Sequence, residues 1–200
     1  MTNKNNQKIF LYQPSDKHVE LDRDEASGLM AVIAEYSRSW SLLYKYDHDQ
    51  LAVENTKKRT AYQLTHDDAV LGIERLRAEL VKKKEAGDLF GSERDNMLAS
   101  IIGNIRQSFG GQELYPSIEE KAAYLLYFVI KDHPFSDGNK RIGAFLFIWF
   151  MARNRHLYTK KGEKKINDNA LVALALLIAE SAPSQKEIMI KLVVNLINRR

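Results

Sequence analysis

Nine consecutive residues, His133-Pro134-Phe135-Ser136-Asp137-Gly138-Asn139-Lys140-Arg141, concentrate the reactive chemistry of this sequence. They set an imidazole, a carboxylate, a Gly-Asn turn and two cations between two apolar runs, Ala122 to Ile130 and Ile142 to Met151. Both runs read as buried helices, so the polar loop between them must be held rigidly, facing a cleft where a new helix begins. Backbone N–H groups at a helix N-terminus, together with the helix dipole, suit phosphate oxygens. Gly138 allows close approach of the backbone, and Asn139, Lys140 and Arg141 add donors and positive charge. Asp137 is the only carboxylate of the loop, and a carboxylate beside phosphates is what magnesium needs. His133 brings an imidazole, the side chain suited to taking a proton from an attacking hydroxyl near neutral pH. Together these parts fit phosphoryl or nucleotidyl transfer, where positioning and charge neutralisation are most of the work. Taken singly, each has a plainer reading: a His before Pro at a helix end is commonly a cap, Asp-Gly-Asn a turn, and Asn-Lys-Arg a solvated first turn. Phe135 is an apolar anchor for the loop in either case. The combination at this spacing favours the site.

The elements that must hold the loop follow from periodicity and end signals. Residues 1–23 are polar, with two short alternating pieces, IFLYQ and HVELD, that read as a small hairpin or an arm. From about Asp24 helical spacing puts Leu29, Val32, Ile33, Tyr36, Trp40 and Leu43 on one face, and residues 47–62 form a connector. Thr65 followed by Asp68 opens a helix through Val70, Ile73, Leu76 and Leu80 to near Gly87. Ser92 is expected to cap a helix carrying Met97, Leu98, Ile101, Ile102 and Ile105, which stops at Gly110-Gly111. Residues 110–116 are turn-rich and partly extended, and Ser117 with Glu120 is a capping box for a helix whose stripe is Ile118, Ala122, Leu125 and Val129. The helix from about Gly138 to Arg153 is apolar nearly all round and is expected at the centre of the core. Asn167 or Asp168 caps the next helix, and Ser184 with Glu187 the last. The outcome is an all-α fold of six or seven helices with little strand.

Composition sets outer bounds. A chain of 200 residues, 44% hydrophobic, can bury one good core with a helical extension. It has no cysteine, which removes disulfides, a thiolate nucleophile and Cys-based zinc sites. No apolar run approaches the roughly 20 residues that span a bilayer, and the N-terminus lacks the apolar core of a signal peptide. The expectation is a cytoplasmic protein with no membrane partner. The net charge of +4 is mild, and the basic clusters at Lys82–Lys84 and Arg153–Lys165 read as solvated faces. They form no stripe with interleaved aromatics, which argues against a nucleic-acid partner.

The nine-residue loop resembles the active-site signature of the Fic/Doc (Fido) superfamily, HPFx[D/E]GNGR in Fic proteins with a form ending NKR in Doc. The stretches from Gly110 to Phe150 and from Ala170 to Val193 further resemble the Fic-type C-terminal region of RhuM-like virulence-associated bacterial proteins. The resemblance implies a Fic-like bundle of six or more helices over residues 61–200, with a short β-hairpin flap before the motif and residues 1–60 as an N-terminal arm and helical extension. It implies an ATP- and Mg2+-dependent adenylyltransferase that moves AMP to a Ser, Thr or Tyr hydroxyl of a target protein. His133 would be the general base and Asp137 the magnesium ligand. Gly138, Asn139, Lys140 and Arg141 would bind the nucleotide, and Glu113, Leu114 and Tyr115 would form the flap that docks the target by strand pairing. An antitoxin or a second copy of the chain is a further partner that the family suggests. A Doc-like protein kinase and a non-catalytic nucleotide- or protein-binding scaffold are the alternatives. Three departures bear on that choice. Lys140 stands where Fic enzymes have a second glycine, as in Doc, which resembles a kinase using ATP in a reversed orientation. Ala144 stands where AMP-transferring members carry a second arginine. The nearest match to the family's inhibitory pattern, Gln50 to Asn55 with Glu54, lacks its hydroxyl residue.

Overall fold

The computed structural model describes residues 23–54, 56 and 61–198. The IFLYQ and HVELD pieces lie outside the described residues, as does the side chain of Leu29. The chain divides into two units, residues 1–41 and 42–200. Helix α1 (Arg23–Asp47) carries the apolar face expected from its spacing, and Val32, Ile33, Tyr36, Trp40 and Leu43 on it are exposed.

Unit two is built from six more helices: α2 (His66–Lys82), α3 (Met97–Ile105), α4 (Ile118–Lys131), α5 (Asn139–Arg153), α6 (Asp168–Glu180) and α7 (Lys186–Ile197). The fold is therefore mostly helical, with one two-stranded antiparallel hairpin, β1 (Ser108–Phe109) and β2 (Gln112–Glu113), among the described residues. Thr65 caps α2 by accepting from the Asp68 N–H at 3.1 Å, Asn167 caps α6, and the Ser117–Glu120 box opens α4.

Four expected boundaries move. Helix α2 ends at Lys82 rather than near Gly87. Gly110-Gly111 is not the stop of α3, which ends at Ile105. The pair, with φ of 57° and 79°, makes the two-residue hairpin turn that needs left-handed backbone at both positions. Ser92 does not cap α3, whose start is instead met by the Glu93 carboxylate accepting from the Leu98 N–H at 2.9 Å. Ser184 and Glu187 form no box; a 3-10 turn, Pro183–Gln185, precedes α7, and the Gln185 side chain accepts from the Ala182 N–H.

The centre of the core is α4, which packs on α3, α5, α6 and α7, rather than α5. Its apolar pattern is interrupted in sequence by Glu119 and Lys121, which nonetheless lie 1% and 4% exposed. Both have polar partners. Glu119 meets His156 Nε2 at 2.8 Å, Lys165 Nζ lies 2.9 Å from the same nitrogen, and Lys121 Nζ donates to Glu113 Oε1 at 2.8 Å. Burying such charges without partners would cost several kcal/mol each, so the pairs fix how α4 meets the hairpin and the 156–165 loop. Among the described residues no helix is long and apolar enough to cross a membrane.

Tyr62 fastens the connector to α2 and to the end of α5. Its backbone N–H and C=O bond the Asn154 side chain at 3.0 and 3.2 Å, and its hydroxyl donates to Asp68 at 3.0 Å. Burial, then the Asp68 carboxylate, pushes the phenol up to about 12. The fold thus favours protonated Tyr62, so this contribution is complete below the ordinary tyrosine value near 10 and is lost as pH rises to about 12. Chemical denaturation at several pH values should show stability falling across that window. Tyr62→Phe should give a shallower fall, the remaining slope coming from Tyr115, Tyr124 and Tyr127, which burial also raises.

Candidate active site

The nine-residue loop begins where α4 stops. Asp132 closes that helix and His133 follows with φ of 52°, a left-handed backbone uncommon outside glycine. Pro134 then prevents the helix from continuing. The imidazole is thereby turned off the helix at a fixed angle and left exposed. Phe135, 1% exposed, anchors the loop in the core.

From Phe135 the loop is closed by Asn139. The Phe135 N–H donates to Asn139 Oδ1 at 2.9 Å, and Asn139 Nδ2 donates back to the Phe135 carbonyl at 2.8 Å. The amide expected at the nucleotide is therefore committed to bracing the loop. Gly138 takes φ of 90°, and a Cβ there would overlap the Phe90 ring. Only glycine fits this corner, for backbone angle and for space.

Helix α5 then starts without a side-chain cap and with no acidic residue in its first turn. The starts of α2, α4 and α6 carry both. An uncapped helix start flanked by Lys140 and Arg141 is a ready anion site. Arg141 is already positioned. Its Nη2 lies 3.3 Å from Asp137 Oδ2, its Nη1 donates to the Glu85 carbonyl at 2.6 Å, and its guanidinium sits 4.6 Å over the Phe90 ring. His133, Ser136, Asp137, Gly138, Asn139, Lys140 and Arg141 together line an open pocket of about 340 Å³. Asp137 is its one carboxylate. The described residues gather no cluster of three or more metal-binding side chains, so a cation here would take most of its ligands from elsewhere, as magnesium does with phosphates and water.

Glu113, Leu114 and Tyr115 do not line this pocket. Glu113 ends β2, the Leu114 N–H extends the hairpin by donating to the Gln107 carbonyl at 2.9 Å, and the Tyr115 ring packs on Tyr124 with centroids 3.9 Å apart. The hairpin stands exposed, Phe109 at 89%. What the sequence reading missed is the segment from Phe90 to Arg94, which runs behind the loop and bonds its backbone. Its signal was slight, a Phe-Gly pair in a short connector where periodicity says nothing.

These features define a helical protein in which a histidine and a carboxylate share one open pocket with the uncapped start of α5. The model of the Fic/DOC family matches residues 59–151, a span that holds α2 to α4, the hairpin, the whole loop and most of α5. That span is a Fic/DOC family domain. No curated protein and no solved structure matches the chain.

Gly138→Ala should lose anion binding at this pocket, because the new methyl forces either the Phe90 ring or the start of α5 to move. The stability cost should be about 1–3 kcal/mol, that of a strained residue. Calorimetric titration with ATP and thermal melts of the variant check both.

Proposed function

We propose that the protein is a Mg2+- and ATP-dependent transferase that moves AMP from ATP to a Ser, Thr or Tyr hydroxyl of a target protein. The observation that carries this reading is the convergence of His133, Asp137 and Arg141 on one open pocket at the uncapped start of α5. The target oxygen attacks the α-phosphorus while its proton passes to the His133 imidazole. The bond from that phosphorus to its bridging oxygen breaks, and pyrophosphate leaves. The N–H groups after Gly138, with Lys140 and Arg141, hold the phosphate oxygens, and Asn139 keeps the loop in shape. Asp137 is the residue that would hold magnesium, which supplies charge neutralisation at the phosphates.

The target segment pairs with the exposed hairpin at Glu113, Leu114 and Tyr115. Lys121, fixed in α4, steadies this hairpin through Glu113. Residues 61–200 are the catalytic core and residues 1–60 an extension, in keeping with the narrower likeness to RhuM-like proteins. A second reading, transfer of the γ-phosphate as in a kinase, is favoured by Lys140 in the first turn of α5 and by Ala144, one turn on, where an arginine would clamp a further phosphate.

Incubation of protein extract with ATP labelled at the α or the γ position separates the two. The expected result is label on protein from the α position only, reduced about 100-fold or more in His133→Ala, as for loss of a general base. Label from the γ position alone would replace AMP transfer by phosphorylation. Tight ATP binding with neither label transferred would leave a binding scaffold.

A further inference from the structure

The segment behind the loop makes three backbone bonds to it. The Gly91 N–H donates to the Asp137 carbonyl at 3.1 Å, the Ser136 N–H to the Ser92 carbonyl at 2.9 Å, and the Arg94 N–H to the Pro134 carbonyl at 2.8 Å. Glu93 faces Phe135 in an antiparallel bridge at the middle of this contact. The position of the backbone of residues 134–137 is therefore tied to that of the segment, and residues 83–96 contain no helix of their own to fix it.

Phe90 buries one end of the segment in the core, and one polar side chain ties its middle. The Glu93 carboxylate, 19% exposed, spans two helix starts. Its Oε2 lies 2.8 Å from His66 Nε2, at the first residue of α2. Its Oε1 accepts from the Leu98 N–H at 2.9 Å, in the first turn of α3. Asn96, at the usual capping position of α3, makes no side-chain cap, so Glu93 does that work from outside the helix. A carboxylate at a helix start is favoured by the free N–H groups and by the dipole, and hydrogen bonds to a charged group are stronger than neutral ones. The same residue whose backbone pairs with Phe135 is thus bound through its side chain to α2 and α3.

We propose that Glu93 is a positioning residue for the transfer reaction: its carboxylate references the Phe90–Arg94 segment to α2 and α3, and through that segment fixes the loop bearing His133 and Asp137. The proposal rests on the reading of that loop as the catalytic one. Glu93 touches neither nucleotide nor target. Its loss lets the loop sample displaced positions, which slows the chemical step more than it weakens nucleotide binding at α5.

Hydrogen exchange of the full chain, read at the Gly91, Arg94 and Ser136 amides, tests this together with the labelled-ATP assay. Glu93→Ala should speed exchange at these three amides about tenfold or more, the loss of a charge-assisted hydrogen bond, while Ile130 and Leu146 in the core stay unchanged. The kcat for transfer should fall about tenfold with the KM for ATP within about threefold. Glu93→Gln keeps an oxygen for the Leu98 N–H and should recover most of both effects. His66→Ala removes one of the two ties at a partly exposed side chain and should speed exchange roughly threefold; it serves as the second variant should Glu93→Ala not fold. Unchanged exchange at the three amides in a folded variant, or wild-type kcat in Glu93→Ala, overturns the proposal. Wild-type protein that transfers no label sinks the catalytic reading instead, and the exchange rates still decide whether Glu93 holds the loop.

Discussion

Everything at the candidate site depends on keeping the first turn of α5 uncapped and in one place. An open helix start is an unfavourable thing to build, because its N–H groups lack partners and nothing local fixes the chain entering it. The structure meets this with restraints that leave the N–H groups alone. Gly138 turns the chain at φ of 90° against the Phe90 ring, Asn139 closes a ring of two bonds to Phe135, and the backbone from Gly91 to Arg94 supports residues 134–137 from behind. Phe135 is the apolar peg beneath. A buried phenylalanine of this kind is worth about 3–5 kcal/mol against alanine, more than any single hydrogen bond in the loop contributes.

The loop's restraints lead outward to the rest of the fold. Phe90 serves the loop twice, as the wall that excludes a side chain at residue 138 and as the ring under the Arg141 guanidinium. Arg141 in turn holds Asp137 at 3.3 Å and reaches the Glu85 carbonyl. The two charged groups that would meet a metal ion and a phosphate are therefore oriented by one another before any ligand arrives, which lowers the entropy lost on binding. The pair of Lys121 with Glu113 ties the hairpin to α4, the helix that ends at Lys131 just before the loop.

Much of this was legible in the residues, and the parts that were not have physical reasons. The loop stood out because His, Pro, Asp, Gly and Asn at fixed spacing are each expensive to place between two apolar helices. Helix starts at Thr65, Ser117 and Asn167 were readable because capping is a local bond between residues three apart. The place of α4 at the centre was hidden by Glu119 and Lys121, which look solvent-facing until the fold brings His156 and Glu113 to them. Gly110-Gly111 read as a helix stop because a glycine pair serves a stop and a tight hairpin equally well, and only the pairing of Phe109 with Gln112 decides between them. The Phe90–Arg94 support left almost no trace, since backbone-to-backbone bonds place few demands on residue type. The exposed stripe of α1 was visible by spacing alone, and spacing does not say what a face meets.

The central claim is that the start of α5 is a phosphate cradle that presents one particular phosphorus to His133. The most direct measurement is a crystal structure of the protein with Mg2+ and a non-hydrolysable ATP analogue. The account predicts phosphates at the N–H groups after Gly138, the metal ion on Asp137, and the α-phosphorus facing the His133 imidazole. A nucleotide bound in the opposite direction, with its γ-phosphorus toward His133, or one bound elsewhere while the start of α5 stays empty, would contradict it.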